Sequence, residues 1–189
     1  MRALQQQAPC IRMWLSAICP YFSQGSSSMD HLWTPWRMPY LRNGSPNADN
    51  ECIICHKARS SNDAADHILH RGALCFVTLN LYPYNNGHLL IAPYAHIAAL
   101  EELEAPVLTE IMVLTQQAVR VLRAAYNPQA FNIGINQGAA AGAGIAAHLH
   151  QHVVPRWQGD TSYMTVIGQT RVIPEWIDDT YRLLKSLWA

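Results

Sequence analysis

From Ala73 to Pro83 the chain reads ALCFVTLNLYP, a run of β-branched and apolar residues that predicts a strand. Tyr84-Asn85-Asn86-Gly87 is a turn signal, and HLLIAPY at 88–94 predicts the returning strand. The period then changes. Between Glu104 and Ala125, the residues Val107, Ile111, Leu114, Ala118, Val121 and Ala125 recur three and four apart, the apolar stripe of a long helix. Asn127-Pro128 ends it. FNIGINQG (131–138) predicts a strand, GAAAGAGIAA (138–147) a loop, and HLHQHVVPRW (148–157) another strand. Pro174 is expected in the first turn of a final helix that reaches about Leu187. Hairpin strands with inserted helices predict an α+β fold on an antiparallel sheet of about five strands.

The chain ends read differently. Residues 29–41 (MDHLWTPWRMPYL) hold two prolines that forbid a regular helix, so an extended arm laying aromatics on the core is expected. Asn43 to Glu51 is polar and turn-rich, and CIICHKARSSNDAADHILHRG after it is expected to be irregular. The first 28 residues contain an apolar patch, Met13 to Ile18, that is short for a secretory h-region of about 7 to 15 residues. They are expected to be a disordered extension or to lie upstream of the true start at Met29. One domain is expected over 29–189, made of a knuckle segment (51–72), a catalytic core (73–160) and a tail with a helix (161–189).

Composition narrows the partners. The 189 residues are 50% hydrophobic and 14% charged, with formal net charge zero and no block of like charge. Binding to nucleic acid or to a membrane surface by general electrostatics is therefore not expected. No apolar run reaches the roughly 18 residues of a membrane span. Five cysteines, with one close pair, do not make a disulfide framework, which points to a reducing compartment, the cytoplasm.

The chemistry gathers at HLHQHVVPRW, where His148, His150 and His152 occupy alternate positions. On an extended strand these side chains share one face, with the outer two about 13 Å apart, too far to wrap one metal. A solvated strand would favour Thr, Lys and Glu. The preceding loop has Gly138, Gly142 and Gly144, whose backbone can turn tightly and present amides to an anion. A glycine loop running into three histidines suggests cleavage of a phosphate ester or anhydride, with an imidazole nucleophile and a second imidazole stabilising charge.

Cys52-Ile-Ile-Cys55 supplies two thiols at metal-knuckle spacing, and with His56 it also matches the c-type haem attachment pattern. A redox dithiol is a third reading, although no thioredoxin-like βαβ pattern surrounds it. Zinc would need two further ligands from elsewhere, with His56, His67 and His70 nearby.

NQGAAAGAGIAAHLHQHVVPRW resembles the histidine-triad (HIT) family signature, and LNLYPYNNGHLLIAPYAH resembles that family's first hairpin. The likeness spans residues 30–189 and looks closest to the bacterial branch acting on diadenosine tetraphosphate. One departure is Gln151, polar where the signature is hydrophobic; on a strand it faces away from the histidines. The resemblance implies a HIT-like fold and roles for individual residues. His150 would be the nucleophile at the α-phosphorus, with its other nitrogen bonded to a backbone carbonyl, and His152 would neutralise phosphate charge. Asn80 would bind ribose hydroxyls. His88, Asn136, Gly142, Ala143 and Gly144 would lie at the phosphates. For Asn80 and Asn136 the alternative is strand-end turn chemistry.

The resemblance also implies a structural Cys2His2 zinc site of Cys52, Cys55, His96 and His148, and a homodimer held through the long helix and C-terminal segment. The implied activity is nucleotide phosphoanhydride hydrolysis or nucleotidyl transfer on a dinucleoside polyphosphate through a nucleotidyl-histidine. The acceptor, water or phosphate, stays open. Gly142-Ala143-Gly144 has no serine, unlike the phosphorylases. A nucleotide-binding or signalling module and an AMP-amidate hydrolase are the alternatives. Trp33, Trp36, Tyr40 and Trp157 are candidates for stacking on a purine or for packing.

Overall fold

The computed structural model describes residues 52–160 and 172–188. The expected N-terminal extension, aromatic arm and turn-rich stretch lie outside these residues, as do 161–171 of the tail.

Among the described residues the elements run in order α1 (Ile53–Arg59), β1 (Ile68–Arg71), β2 (Cys75–Leu79), β3 (Leu89–Pro93), α2 (Ala105–Tyr126), β4 (Ala130–Ile135), β5 (Gln151–Arg156) and α3 (Ile177–Leu187). The five strands form one sheet in the order β1-β2-β3-β5-β4, and every neighbouring pair is antiparallel. This is the expected α+β architecture.

Both faces of the sheet centre are covered. On one side α2 lays Ile111, Leu114, Ala118 and Leu122 against Val77, Leu79, Leu89, Ile91 and Val153, and Leu184 of α3 joins them. On the other, Ile54 of α1 meets Ile68, Phe76 and Ala92. Two-sided cover explains why every residue of β2 and β3 is buried, where a one-sided antiparallel sheet would alternate.

Helix α2 begins with Pro106 in its first turn and stops at Asn127, whose left-handed φ of 46° closes it just before Pro128. Gly87, φ 73°, ends the β2–β3 turn against α2. A Cβ there would come within 2.9 Å of Leu122 and 3.1 Å of Tyr126, which adds crowding to the strain that a side chain meets at this positive φ. Gln151, the departure from the hydrophobic pattern, is buried on the α2 side, where its amide donates to the Thr115 hydroxyl. A single helix residue thus satisfies the polar group.

Three expectations need correction. The segment after Cys52 is not irregular. It forms α1 and β1, held by the Ile54 cluster and by buried Lys57, whose ammonium donates to the Asp66 carbonyl (2.7 Å) and to Thr78 (2.9 Å). Pro174 is not in the first turn of α3. The helix starts at Ile177, with Trp176 as its extended N-cap and Asp178 and Asp179 in the first turn, where their charge suits the helix dipole. The third concerns the histidine strand and is described with the site.

Past β5, Arg156 grips Asp160 through two N–H groups at 2.6 and 2.8 Å, and Asn85 of the hairpin turn donates to the same carboxylate at 3.0 Å. The bond from Arg156, working against burial, holds the Asp160 carboxyl down at about 2. A depressed folded pKa stabilises above the unfolded value of about 3.9, and that stability is lost as pH falls toward the folded value. Because Arg156 is partly solvated, the contribution is about 1 kcal/mol. Asp160→Asn should therefore lower the urea midpoint at pH 7, with the gap to the parent chain closing between about pH 4 and pH 2.5. A gap that stays constant over that range would contradict this linkage.

Candidate active site

The site lies where the β2–β3 hairpin meets β5. Strand β5 starts only at Gln151, so the expected strand over 148–157 is shortened at its front and only His152 of the three histidines lies within it. The amide of His148 bonds back to Ile145 (3.3 Å), and that of Leu149 bonds to Ile97 beyond β3 (2.7 Å), which diverts the chain from sheet pairing. The alternation nevertheless holds, because Leu149, Gln151 and Val153 all face α2 and leave the three histidines on the opposite face. The His150 and His152 rings are neighbours, 5.0 Å between centroids, while His148 meets His96 at 5.1 Å.

The hydrogen bonds fix which nitrogen of each ring carries a proton. His88, fully buried, accepts at Nδ1 from the Tyr84 amide N–H (3.0 Å) and from the Asn80 side-chain amide (3.2 Å). Both partners are donors, so the His88 proton sits on Nε2 and points at His152 Nδ1, 2.9 Å away. His152 in its neutral form therefore holds its proton on Nε2. The Tyr84 ring lies over both imidazoles, at 4.6 Å from His88 and 5.6 Å from His152.

His150 is 4% exposed and donates from Nδ1 to the His148 carbonyl at 2.8 Å. Its Nε2 thus keeps a lone pair. Burial pushes its pKa below the ordinary histidine range, partly opposed by that carbonyl bond. His148 is fully buried, and its Nε2–H donates to the Pro93 carbonyl at 2.9 Å, so its lone pair lies on Nδ1. Burial lowers its pKa as well.

That Nδ1 faces Cys52 Sγ at 3.5 Å and Cys55 Sγ at 3.4 Å, and Cys55 Sγ stands 3.1 Å from His96 Nδ1. The four ligand atoms lie within 4.8 Å of one another. Two sulfurs and two ring nitrogens at this separation fit one tetrahedral ion. The carbonyl behind His148 supplies the outer bond by which a histidine ligand is oriented. Without a cation the arrangement is unfavourable for charge, as burial and then neighbouring Cys52 push the Cys55 thiol up to about 11. The other nearby histidines are engaged elsewhere. His67 pairs with Asp178 at 2.8 Å, and His70 stacks on Trp188.

The remaining predicted residues are placed with less uniform outcome. Asn80 closes a turn, accepting from the Tyr82 amide at 3.0 Å, while its NH2 orients His88. His88 sits behind His152 rather than in the open. Asn136 follows β4, half-buried, one residue beyond the Ile135–Gln151 pair. The glycine loop contains a short 3-10 turn, Ala139–Ala141, with Gly138 and Gly142 at positive φ. Bonds from the Gly142 and Ala143 amides close that turn on the Ala139 and Gly138 carbonyls. The backbone is tightly turned as expected, but those two amides serve the loop itself. Trp157 is half-buried; Trp33, Trp36 and Tyr40 lie outside the described residues.

Two features were not foreseen from the sequence. One is the Tyr84 cover over the imidazoles. The other is a carboxylate, Glu175, whose Oε2 accepts from Asn86 (3.1 Å), Tyr126 (2.5 Å) and Thr180 (2.5 Å). These donors come from a turn and two helices, and no spacing in the chain signals such a meeting.

The site thus brings together a buried imidazole with its lone pair on Nε2 and a second imidazole with its proton on Nε2, the two components that nucleophilic histidine chemistry needs. Residues 61–159 match the model of the HIT domain. The chain is 40% identical over 176 residues to the AP-4-A phosphorylase of Mycobacterium tuberculosis, covering 89% of this chain and 90% of that protein. It is 30% identical over 95 residues to a bis(5′-nucleosyl)-tetraphosphatase [asymmetrical] of Schizosaccharomyces pombe, half of either chain (50% and 52%). Among solved structures it resembles a Zn-bound histidine triad family protein from Mycobacterium smegmatis, with TM-score 0.60 and 27% identity over 73% of this chain and 93% of that one. The chain belongs to the HIT family.

Proposed function

We propose that the protein cleaves dinucleoside polyphosphates through a nucleotidyl group carried on His150, with orthophosphate as the acceptor. The observation that carries the reading is the His150 hydrogen bond: Nδ1–H is committed to the His148 carbonyl, so Nε2 is the nucleophilic atom. In the first half-reaction Nε2 bonds to the α-phosphorus as the bond to the bridging oxygen breaks. A nucleoside polyphosphate leaves with that electron pair. The His152 Nε2–H, oriented through His88, stabilises the charge that develops on phosphate oxygen. In the second half, a phosphate oxygen takes the nucleotidyl group and restores the free imidazole. The likeness to AP-4-A phosphorylase supports phosphate as the acceptor, and the absence of a serine from Gly142-Ala143-Gly144 makes the acceptor the point to test.

Incubation with diadenosine tetraphosphate and orthophosphate should give ADP plus ATP. AMP plus ATP would replace phosphate by water, two ADP would mean symmetric hydrolysis, and no product would overturn the enzymatic reading in favour of a binding module.

Cys52, Cys55, His96 and His148 would hold zinc, which when bound neutralises the thiolates and fills its coordination with protein ligands, a structural role. Those residues tie α1 to the segment that carries His150. Thiolate ligation needs reduced cysteines, which supports the reading of a reducing compartment, the cytoplasm. The substrate is thereby a nucleotide, with no nucleic-acid or membrane partner in the reading. A homodimer is supported by the sheet edge at β4, where Ile133 is 47% exposed, and by Met112 and Val113 on α2, each 58% exposed. A monomeric mass by light scattering at micromolar concentration would exclude it.

A further inference from the structure

Helix α1 and its N-cap carry two of the four metal-binding donors, yet the helix has only seven residues and no side-chain cap. A helix that short does not hold itself together, so its anchors decide whether the two sulfurs keep their places. Two cations supply those anchors. Arg71 of β1 donates to the carbonyls of Lys57 (3.1 Å), Ala58 (2.9 Å) and Ser60 (2.7 Å) at the end of α1, and to the Asp63 carboxylate at 2.8 Å. Buried Lys57 ties the same turn to Asp66 and to Thr78 of β2. At the other end the His56 amide bonds to the Cys52 carbonyl at 2.9 Å, which fixes the backbone between the two cysteines. None of these bonds involves the side chain of a metal-binding residue. The Cys52 and Cys55 thiols, within 4.8 Å of one another, therefore stay paired whether or not an ion lies between them.

Reach and consequence set this pair apart from the other described thiol. Cys52 and Cys55 are half-buried and His96 beside them is exposed, so a small solute can approach the sulfurs. Cys75 is fully buried, and burial, then the Glu110 carboxylate, push its thiol up to about 12, which keeps it out of thiolate chemistry. The pair also reaches the reaction centre through one residue. His148 places Nδ1 at 3.5 and 3.4 Å from the two sulfurs, and its carbonyl accepts the Nδ1–H that orients His150.

We propose that Cys52 and Cys55 are a reversible oxidation site for hydrogen peroxide, whose closure to a disulfide releases the metal and, through His148, lowers turnover. The effect on turnover rests on the nucleotidyl reading above; the oxidation does not. One thiolate attacks a peroxide oxygen, the O–O bond breaks, and a sulfenic acid forms as hydroxide leaves. The second thiolate attacks that sulfur, the S–S bond forms, and a second hydroxide leaves. The two sulfurs lose two electrons in all, peroxide gains them, and solvent protons convert both hydroxides to water. A disulfide offers no thiolate, so half of the ligand set is withdrawn and His148 loses the partners in front of its ring.

The test treats the zinc-loaded full chain with excess hydrogen peroxide. A chromogenic chelator reads released zinc, and mass mapping after trypsin reads residues 43–57, a peptide that contains Cys52 and Cys55 and no other cysteine. Zinc should leave in proportion to the share of that peptide that becomes lighter by two hydrogens, while the Cys75 peptide stays reduced. Turnover of diadenosine tetraphosphate should fall by about tenfold or more in step with the release, and dithiothreitol with zinc should restore both. With glutathione present, the parent chain should still close its own disulfide. Arg71→Lys, which keeps the charge but loses the guanidinium fork, should divert the pair to mixed disulfides. A pair that stays reduced, zinc release without the change in peptide 43–57, sulfinic acid in place of the disulfide, or a disulfide that leaves turnover unchanged would each overturn the proposal, and these all read on the parent chain. Disulfide formation and zinc release in a chain with no turnover before treatment would defeat the nucleotidyl reading instead.

Discussion

Replacing His150 by alanine should abolish turnover of diadenosine tetraphosphate, by about 10⁴-fold or more, and leave the fold intact. The size of the loss follows from the role. The substitution removes the triad atom that the hydrogen-bond pattern leaves with a lone pair toward the site, Nε2 of a ring pinned by the His148 carbonyl. His152 cannot replace it, because its Nδ1 is taken by His88 and its Nε2 carries the proton. The structural cost is small by comparison. A side chain 4% exposed leaves a modest cavity beside a carbonyl that loses one donor, about 1–3 kcal/mol in all. Chromatography, circular dichroism and product analysis together check both halves. Turnover within tenfold of the parent protein would refute His150 as the nucleophile. Partial recovery of a His150→Gly protein by added imidazole would show that the missing ring, and not a displaced backbone, accounts for the loss.

The second large effect is expected from Cys52→Ala. Removing one sulfur from a four-ligand group should eliminate bound zinc, which metal analysis reads as a fall from about one equivalent to near none. The donors of that group come from residues 52, 55, 96 and 148, far apart in sequence, so their loss frees α1 from the chain just before the nucleophile. A stability loss of about 3–5 kcal/mol would lower the melting temperature by roughly 6–20 °C. Turnover should fall as well, because His148 provides both a ligand atom and the carbonyl that orients His150. Chelator treatment of the parent protein should reproduce the change, and zinc should reverse it only where Cys52 is present. Metal content equal to that of the parent would refute the ligand set.

The sequence was readable wherever one residue pattern sufficed. The apolar stripe read between Glu104 and Ala125 marked α2 to within a residue at each end, since a long amphipathic helix declares itself through its own period. The hairpin was legible from its turn, where Gly87 combines a positive φ with close neighbours. Helix α1 was not, because seven residues without a capping side chain have no local signal, and contacts of Ile54 and Lys57 with distant strands stabilise them. The triad was recognised by its spacing, which also places the three rings on one face, opposite Leu149, Gln151 and Val153. The spacing does not reveal the partners of the first ring, because its bond to Pro93 and its approach to Cys52 and Cys55 depend on residues more than fifty positions earlier. Glu175 carried no signal because its three donors come from a turn and two helices that only the fold brings together.

The bond line behind the triad has a further consequence for protons. It runs from the Tyr84 amide to His88 and from His88 to His152, and each donor points the same way. At its far end stands a peptide N–H, which cannot surrender its hydrogen, joined there by the Asn80 amide, which cannot either. Along these bonds the line ends on groups that keep their hydrogens, so it tilts the dipole of His152 without passing it a proton. Protons that the leaving group and acceptor exchange are therefore not relayed along this line, whose part in the reaction is to aim the His152 N–H.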